Sequence, residues 1–141
     1  MREVRASGEN RGDSIARMAA TKKRILICDD DPAILRVLQV NLEIEGYDVL
    51  PAQNGEQAVE VATEERPDLV ILDIMMPRLD GYQACERLKA NDDTKDIPVV
   101  FLSAKAQQSD IQRGKDYGVA EYLTKPFDPM DLLGVVERLL A

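Results

Sequence analysis

The sequence contains no histidine at all and only two cysteines. Without His there is no His-based catalytic triad, no internal phosphohistidine and no Cys/His zinc site. Cys28 falls in a predicted core strand and Cys85 in a predicted helix, with no CxxC spacing, so both read as reduced packing residues. Long apolar runs are missing too. No stretch approaches the roughly 18 residues that span a bilayer, and residues 1–23 hold no apolar core of a secretory signal. Membrane insertion and secretion are therefore not expected, and the cytoplasm is the expected location.

Basic charge is scarce beyond the start of the chain. Residues 1–23 carry six Lys or Arg against Glu3, Glu9 and Asp13, a balance of +3, which leaves −11 for the remainder of a chain whose total is −8. So acidic a body repels nucleic acid and anionic lipid, which disfavours direct DNA binding and suits a protein surface as partner. Residues 1–21 are polar, lack periodicity and include Ser7, Gly8, Gly12 and Ser14. They read as a disordered extension, with a short helix over Ile15 to Ala20 as the minority alternative. Residues 22–141 then form one domain's length with one core.

From Arg24 onward the chain alternates. Strand-like runs fall at 24–29, 47–52, 68–73, 97–102 and 119–123, and helix-like segments at 32–45, 55–65, 81–91, 107–117 and 128–140. In the first helix Ile34, Leu35, Leu38 and Leu42 follow a 3.6-residue period, with Asp31 as N-cap, Pro32 in the first turn and Gly46 as the stop. Five βα units predict a doubly wound five-stranded parallel sheet with right-handed crossovers and helices on both faces. The order 2-1-3-4-5 is adopted from known sheets of this kind rather than derived from these residues.

Two of the strands end in acid. Leu69-Val70-Ile71-Leu72 stops at Asp73, and Ile25-Leu26-Ile27-Cys28 runs into Asp29-Asp30-Asp31. If the first and third strands are neighbours, Asp29, Asp30 and Asp73 converge outside the carboxyl ends, where open α/β sheets bind ligands. Two carboxylates about 5 Å apart repel by roughly 3 kcal/mol at an effective dielectric near 20, so the three call for a cation. All-oxygen ligands with room for water suit Mg²⁺, or Mn²⁺. Lys125 follows the fifth strand and Ser103 the fourth. Lys125 alone reads equally as a structural ion pair. Acid, metal, ammonium and hydroxyl around one point make a phosphoryl site, with Asp73 the candidate nucleophile at the end of the central strand.

With the motifs ILICDDDP, LVILDIMMPRLDG, VVFLSA and YLTKPF in order, residues 22–141 resemble the receiver domain of two-component response regulators, of flavodoxin-like (βα)5 fold. The resemblance implies that Asp73 accepts phosphate from a histidine kinase or histidine phosphotransfer protein. It implies that Asp29, Asp30, Asp73 and the backbone carbonyl of Met75 hold Mg²⁺, and that Lys125 contacts the phosphoryl group. Ser103 would swing towards that group and Tyr122 would turn inward, changing the surface formed by the fourth helix, fifth strand and fifth helix, which a downstream protein or a phosphorylation-linked dimer reads. The Lys125-Pro126 bond is expected to be cis. Ser103 stands where many relatives have Thr and keeps the hydroxyl. Met75 and Lys105 flank the phosphoryl position, and since Met cannot orient an attacking water, a long-lived phosphoryl group is expected. The loop from Met75 to Gly81 is expected to be free to respond.

Such a chain is a signalling receiver and not a turnover enzyme. A flavodoxin-like binding module would need a phosphate-cradling loop after the first strand, where Asp29-Asp30-Asp31 repels bare phosphate. An Mg²⁺-dependent phosphatase with an Asp nucleophile would want a second carboxylate two residues on, where Met75 stands. A receiver-fold interaction scaffold would not need every acceptor-site residue. With Ala141 falling at the last predicted helix, the expectation is a stand-alone receiver that signals by docking, or a piece of a larger regulator.

Overall fold

Leu69–Asp73 is buried at every position, as four consecutive apolar residues demand of a strand covered on both faces. It is the central strand, β3, of the computed structural model, which describes residues 22–141. The extension and the short helix expected within residues 1–21 lie outside the described residues. Around β3 stand β1 (Arg24–Cys28), β2 (Asp48–Ala52), β4 (Val99–Ser103) and β5 (Glu121–Thr124), all parallel, in the order β2-β1-β3-β4-β5. The predicted order 2-1-3-4-5 is therefore observed. Helices α1 (Pro32–Ile44), α2 (Gly55–Glu65), α3 (Gly81–Ala90), α4 (Gln108–Asp116) and α5 (Pro129–Leu140) link and follow the strands.

Alternate strand residues feed two cores. Ile25, Ile27, Leu69, Ile71, Val100 and Leu102 meet Leu35, Leu38 and Leu42 of α1 and Leu132 and Val136 of α5. Leu26, Cys28, Val70, Leu72, Val99 and Phe101 meet α2 and α3 on the other face, with Tyr117 and Tyr122 packed beside them. Asp31 caps α1 through the Ala33 N–H, with Pro32 opening the helix and Gly46 at φ +98° just beyond it. Pro51 is tolerated because β2 is an edge strand, with β1 as its one neighbour.

Strand ends differ from expectation by one or two residues. β4 begins at Val99 and not at 97, since Pro98 has no N–H for the ladder, although its carbonyl still accepts from Val70. β5 begins at Glu121 because the chain is still leaving Gly118, at φ +80°. The segment from Met75 to Gly81 is not free. Ile74, Met76 and Leu79 are buried, and only Met75, Pro77 and Arg78 are exposed. The loop lies so close to two glycines that a Cβ on Gly55 would stand 2.3 Å from the Leu79 carbonyl oxygen, and one on Gly81 2.6 Å from that of Asp73.

Candidate functional site

Asp29 follows β1 and Asp73 ends β3, neighbours paired in register up to Cys28 and Leu72. The topology thus brings both carboxylates to the carboxyl edge, at the switch point of the sheet. Asp29, Asp30 and Asp73 each offer an oxygen, all within 4.8 Å of one another. Asp29 and Asp73 are buried, whereas Asp30 is exposed. The Asp31 N–H donates to Asp29 Oδ1 at 2.9 Å, and the Met75 N–H to Asp73 Oδ1 at 3.3 Å.

Lys125 enters from the end of β5 through a cis Lys125-Pro126 peptide. Its Nζ lies 2.8 Å from Asp29 Oδ2 and 3.3 Å from Asp73 Oδ1. Burial opposes its charge, but the hydrogen-bonding and coulombic pull of Asp29 and Asp73 prevails, so its pKa is raised. Asp73 shows the reverse balance. Burial and the Asp29 charge push its pKa up to about 6, against the opposing pull of Lys125 and the Met75 N–H.

These residues fit a divalent cation. Asp29 Oδ2 is buried, and its partner among the described residues is the Lys125 ammonium at 2.8 Å, which Asp73 shares. One lysine among three aspartates leaves acid in excess, and oxygen donors of that kind suit a hard ion. Cys28, next in the chain, takes no part. Burial and then the three aspartates drive its thiol up to about 12, and its Sγ contacts the Asn54 carbonyl and the Met76 sulfur.

Ser103, the last residue of β4, is fully buried, and its Oγ accepts from the Lys105 N–H at 3.1 Å. Tyr122 lies on the neighbouring strand, paired with Phe101, and its hydroxyl donates to the Lys105 carbonyl at 2.8 Å. Met75, whose N–H donates to Asp73, is 54% exposed and lines, with Lys105, Tyr82 and Arg113, a cavity of about 400 Å³ along the segment that follows Asp73. A larger groove of about 930 Å³ along α2 is bordered by Glu56, Glu60 and Glu64, away from this chemistry, so size does not mark the site. Sequence reasoning placed Asp29, Asp30, Asp73, Ser103 and Lys125 at strand ends, and there they are. It missed the Lys105 backbone, whose N–H and carbonyl join Ser103 to Tyr122, because backbone groups leave no residue-type signal.

Fold and site together define an α/β domain of two-component signalling. The chain belongs to the response regulator receiver domain family, whose profile matches residues 25–137. It is 47% identical over 117 residues to the DNA-binding dual master transcriptional regulator RpaA of Synechocystis, covering 83% of this chain and 48% of that protein. Protein PilH of Pseudomonas aeruginosa is 43% identical over 118 residues, 84% of this chain and 98% of PilH. The chain spans about half the length of several of the relatives it matches, RpaA among them. Among solved structures, the Vibrio cholerae chemotaxis protein CheY4 superposes with a TM-score of 0.81 at 29% identity, over 85% of this chain and all of that one. The receiver domain of the Pseudomonas aeruginosa sensor histidine kinase PA1611, solved with magnesium coordinated in its active-site cleft, gives 0.79 at 32% identity, over 85% of this chain and 98% of that one. No helix among the described residues is long and apolar enough to cross a membrane.

Proposed function

We propose that this chain is a phospho-accepting receiver in which Asp73 takes a phosphoryl group from a phosphohistidine of a kinase or phosphotransfer protein. The observation that carries the reading is the placement of Asp73. It ends the central buried strand, its Oδ1 is 3.3 Å from the Lys125 ammonium, and two further aspartates share its pocket. In the transfer the P–N bond to the donor imidazole breaks as the P–O bond to an Asp73 carboxylate oxygen forms, and the imidazole nitrogen takes up a proton. Lys125 balances charge on the phosphoryl oxygens, and the Ser103 hydroxyl donates to one of them.

Asp29, Asp30, Asp73 and the Met75 carbonyl would hold Mg²⁺, or Mn²⁺. When bound, the ion neutralises charge that would otherwise repel the incoming phosphoryl group. Asp29 and Asp30 contribute the acid that fixes such an ion, and Lys125 shares the charge of Asp29 and Asp73. The response is carried by Ser103 and Tyr122 to the α4-β5-α5 surface, where a downstream protein or a second copy reads it. RpaA is a DNA-binding regulator of which this chain matches 48%, and the acidic body of this chain argues for a protein partner rather than direct nucleic-acid contact.

Intact-mass spectrometry after incubation with acetyl phosphate and Mg²⁺ tests the chemistry. One phosphate should be gained by the native chain and none by Asp73→Asn. No gain in the native chain, or an undiminished gain in the variant, overturns the assignment.

A further inference from the structure

Gly114 sits inside α4, where nothing in the backbone calls for glycine, since its φ is outside the left-handed region. Glycine is among the poorest residues for a helix interior, so a reason must lie in the space around it. That space is taken. A Cβ built on Gly114 would stand 2.9 Å from Tyr122 Cδ2 and 3.4 Å from Phe101 Cδ2. By contrast, a Cβ on Gly134 of α5 meets nothing within 4 Å. The Tyr122 ring is therefore seated in a slot whose floor is the missing side chain of residue 114.

The other wall of the slot cannot yield. Phe101 is fully buried and meets the Tyr122 ring edge-on at 6.4 Å between centroids, and it is backed by Tyr82 edge-on at 5.5 Å. The Arg113 guanidinium lies 3.9 Å from the Tyr82 ring centroid, holding α4 against α3. A methyl group at residue 114 would thus leave Tyr122 one way to move, out of the slot. Seated, Tyr122 donates its hydroxyl to the Lys105 carbonyl at 2.8 Å, while the Lys105 N–H donates to Ser103 Oγ at 3.1 Å.

We propose that Gly114 is a positioning residue of the phosphoryl site: the slot it leaves in α4 seats Tyr122, whose hydroxyl fixes the Lys105 carbonyl and so the backbone of Lys105, whose N–H in turn holds the Ser103 hydroxyl. This rests on the reading that Asp73 accepts phosphate with help from Ser103. The link is physical at each step, a ring filling space that a Cβ would take, followed by two hydrogen bonds. It deepens that reading by naming a residue on α4 that sets the state of the acceptor site without touching it.

Gly114→Ala, Tyr122→Ala, the double variant and Tyr122→Phe test the proposal, with melting temperature and the rate of phosphoryl uptake from acetyl phosphate and Mg²⁺ as readouts. Gly114→Ala should lower the melting temperature when Tyr122 is present and raise it in the Tyr122→Ala background, where helix propensity alone decides. With Tyr122 present it should slow uptake about threefold or more, leave the Mg²⁺ affinity unchanged, and have no further effect on uptake in the Tyr122→Ala background. Tyr122→Phe, which keeps the ring but releases the Lys105 carbonyl, should slow uptake as Gly114→Ala does. If Gly114→Ala folds only together with Tyr122→Ala, the slot is upheld and Tyr122→Phe decides the rest. Equal effects of Gly114→Ala in both backgrounds, or native uptake by Tyr122→Phe, would overturn the proposal. A native chain that takes up no phosphate at all defeats the acceptor reading and with it the positioning role, while the melting temperatures still judge the slot.

Discussion

Asp73 is ionised at neutral pH against its own surroundings. Its pKa, raised to about 6 chiefly by burial and then by Asp29, means that the folded chain holds this proton more tightly than the unfolded one. The stability contributed by the protonated group is full below about pH 3.8 and is lost as pH rises through about 6. Asp73→Asn, a neutral isostere, should therefore stabilise the metal-free protein above pH 6 by on the order of 1–2 kcal/mol after screening at the open side of the site. The gain should fade towards pH 4. Urea denaturation in EDTA at pH 4.5 and 7.5 measures both ends, and a gain independent of pH would refute the cause assigned. Met75 is the second residue with a consequence of its own. It is exposed on the segment that follows Asp73 and offers no strong donor or acceptor to hold an attacking water. The phosphorylated chain is expected to decay over minutes to hours, and Met75→Asn to decay several-fold faster. A native half-life of seconds would count against this reading.

At the scale of elements, Gly55 decides how the loop after β3 packs. A side chain there meets the Leu79 carbonyl oxygen at 2.3 Å, a backbone atom that cannot step aside without moving Ile74 to Asp80. Gly55→Ala should cost about 1–3 kcal/mol, as overpacking of a buried contact does. Urea denaturation measures it, and a neutral effect would mean that the loop yields. This contact also marks the limit of what sequence could tell. The buried strands were legible because Leu69 to Leu72 and Ile25 to Cys28 are unbroken apolar runs, and the helices because apolar periodicity, Asp31, Pro32 and Gly46 mark α1. Asp29, Asp73, Ser103 and Lys125 were legible as polar residues at the ends of such runs. The loop was not, because its anchors are Gly55 and Gly81, whose role is the absence of a side chain, met by backbone distant in sequence. Gly114 escaped for the same reason: in a string of letters it is merely a poor helix former.

For the whole molecule, charge is the term left unbalanced. The chain carries a net −8, and three of its acidic residues, Asp29, Asp30 and Asp73, meet at one end of the sheet, with Lys125 as the ammonium between Asp29 and Asp73. A divalent cation at that point would relieve a repulsion that Asp73 joins only when the strands are assembled, and so would bind the folded chain in preference to the unfolded one. Its stabilisation then follows mass action, about 2.7 kcal/mol at one hundred times the dissociation constant. For a domain of this size that should raise the melting temperature by several degrees. Sodium chloride at matched ionic strength screens the charges without occupying the site and should do much less. The cation and the proton compete for Asp73, so the Mg²⁺ effect should shrink as pH falls below about 6, where the carboxyl is protonated in the metal-free protein. Asp30→Asn removes the exposed carboxylate of the three and should therefore weaken the Mg²⁺ response while leaving the metal-free melting temperature close to native. Thermal melts of native and Asp30→Asn protein in EDTA, Mg²⁺ and sodium chloride decide the matter. An equal rise in Mg²⁺ and in matched sodium chloride would show that the three aspartates sense ionic strength and hold no ion.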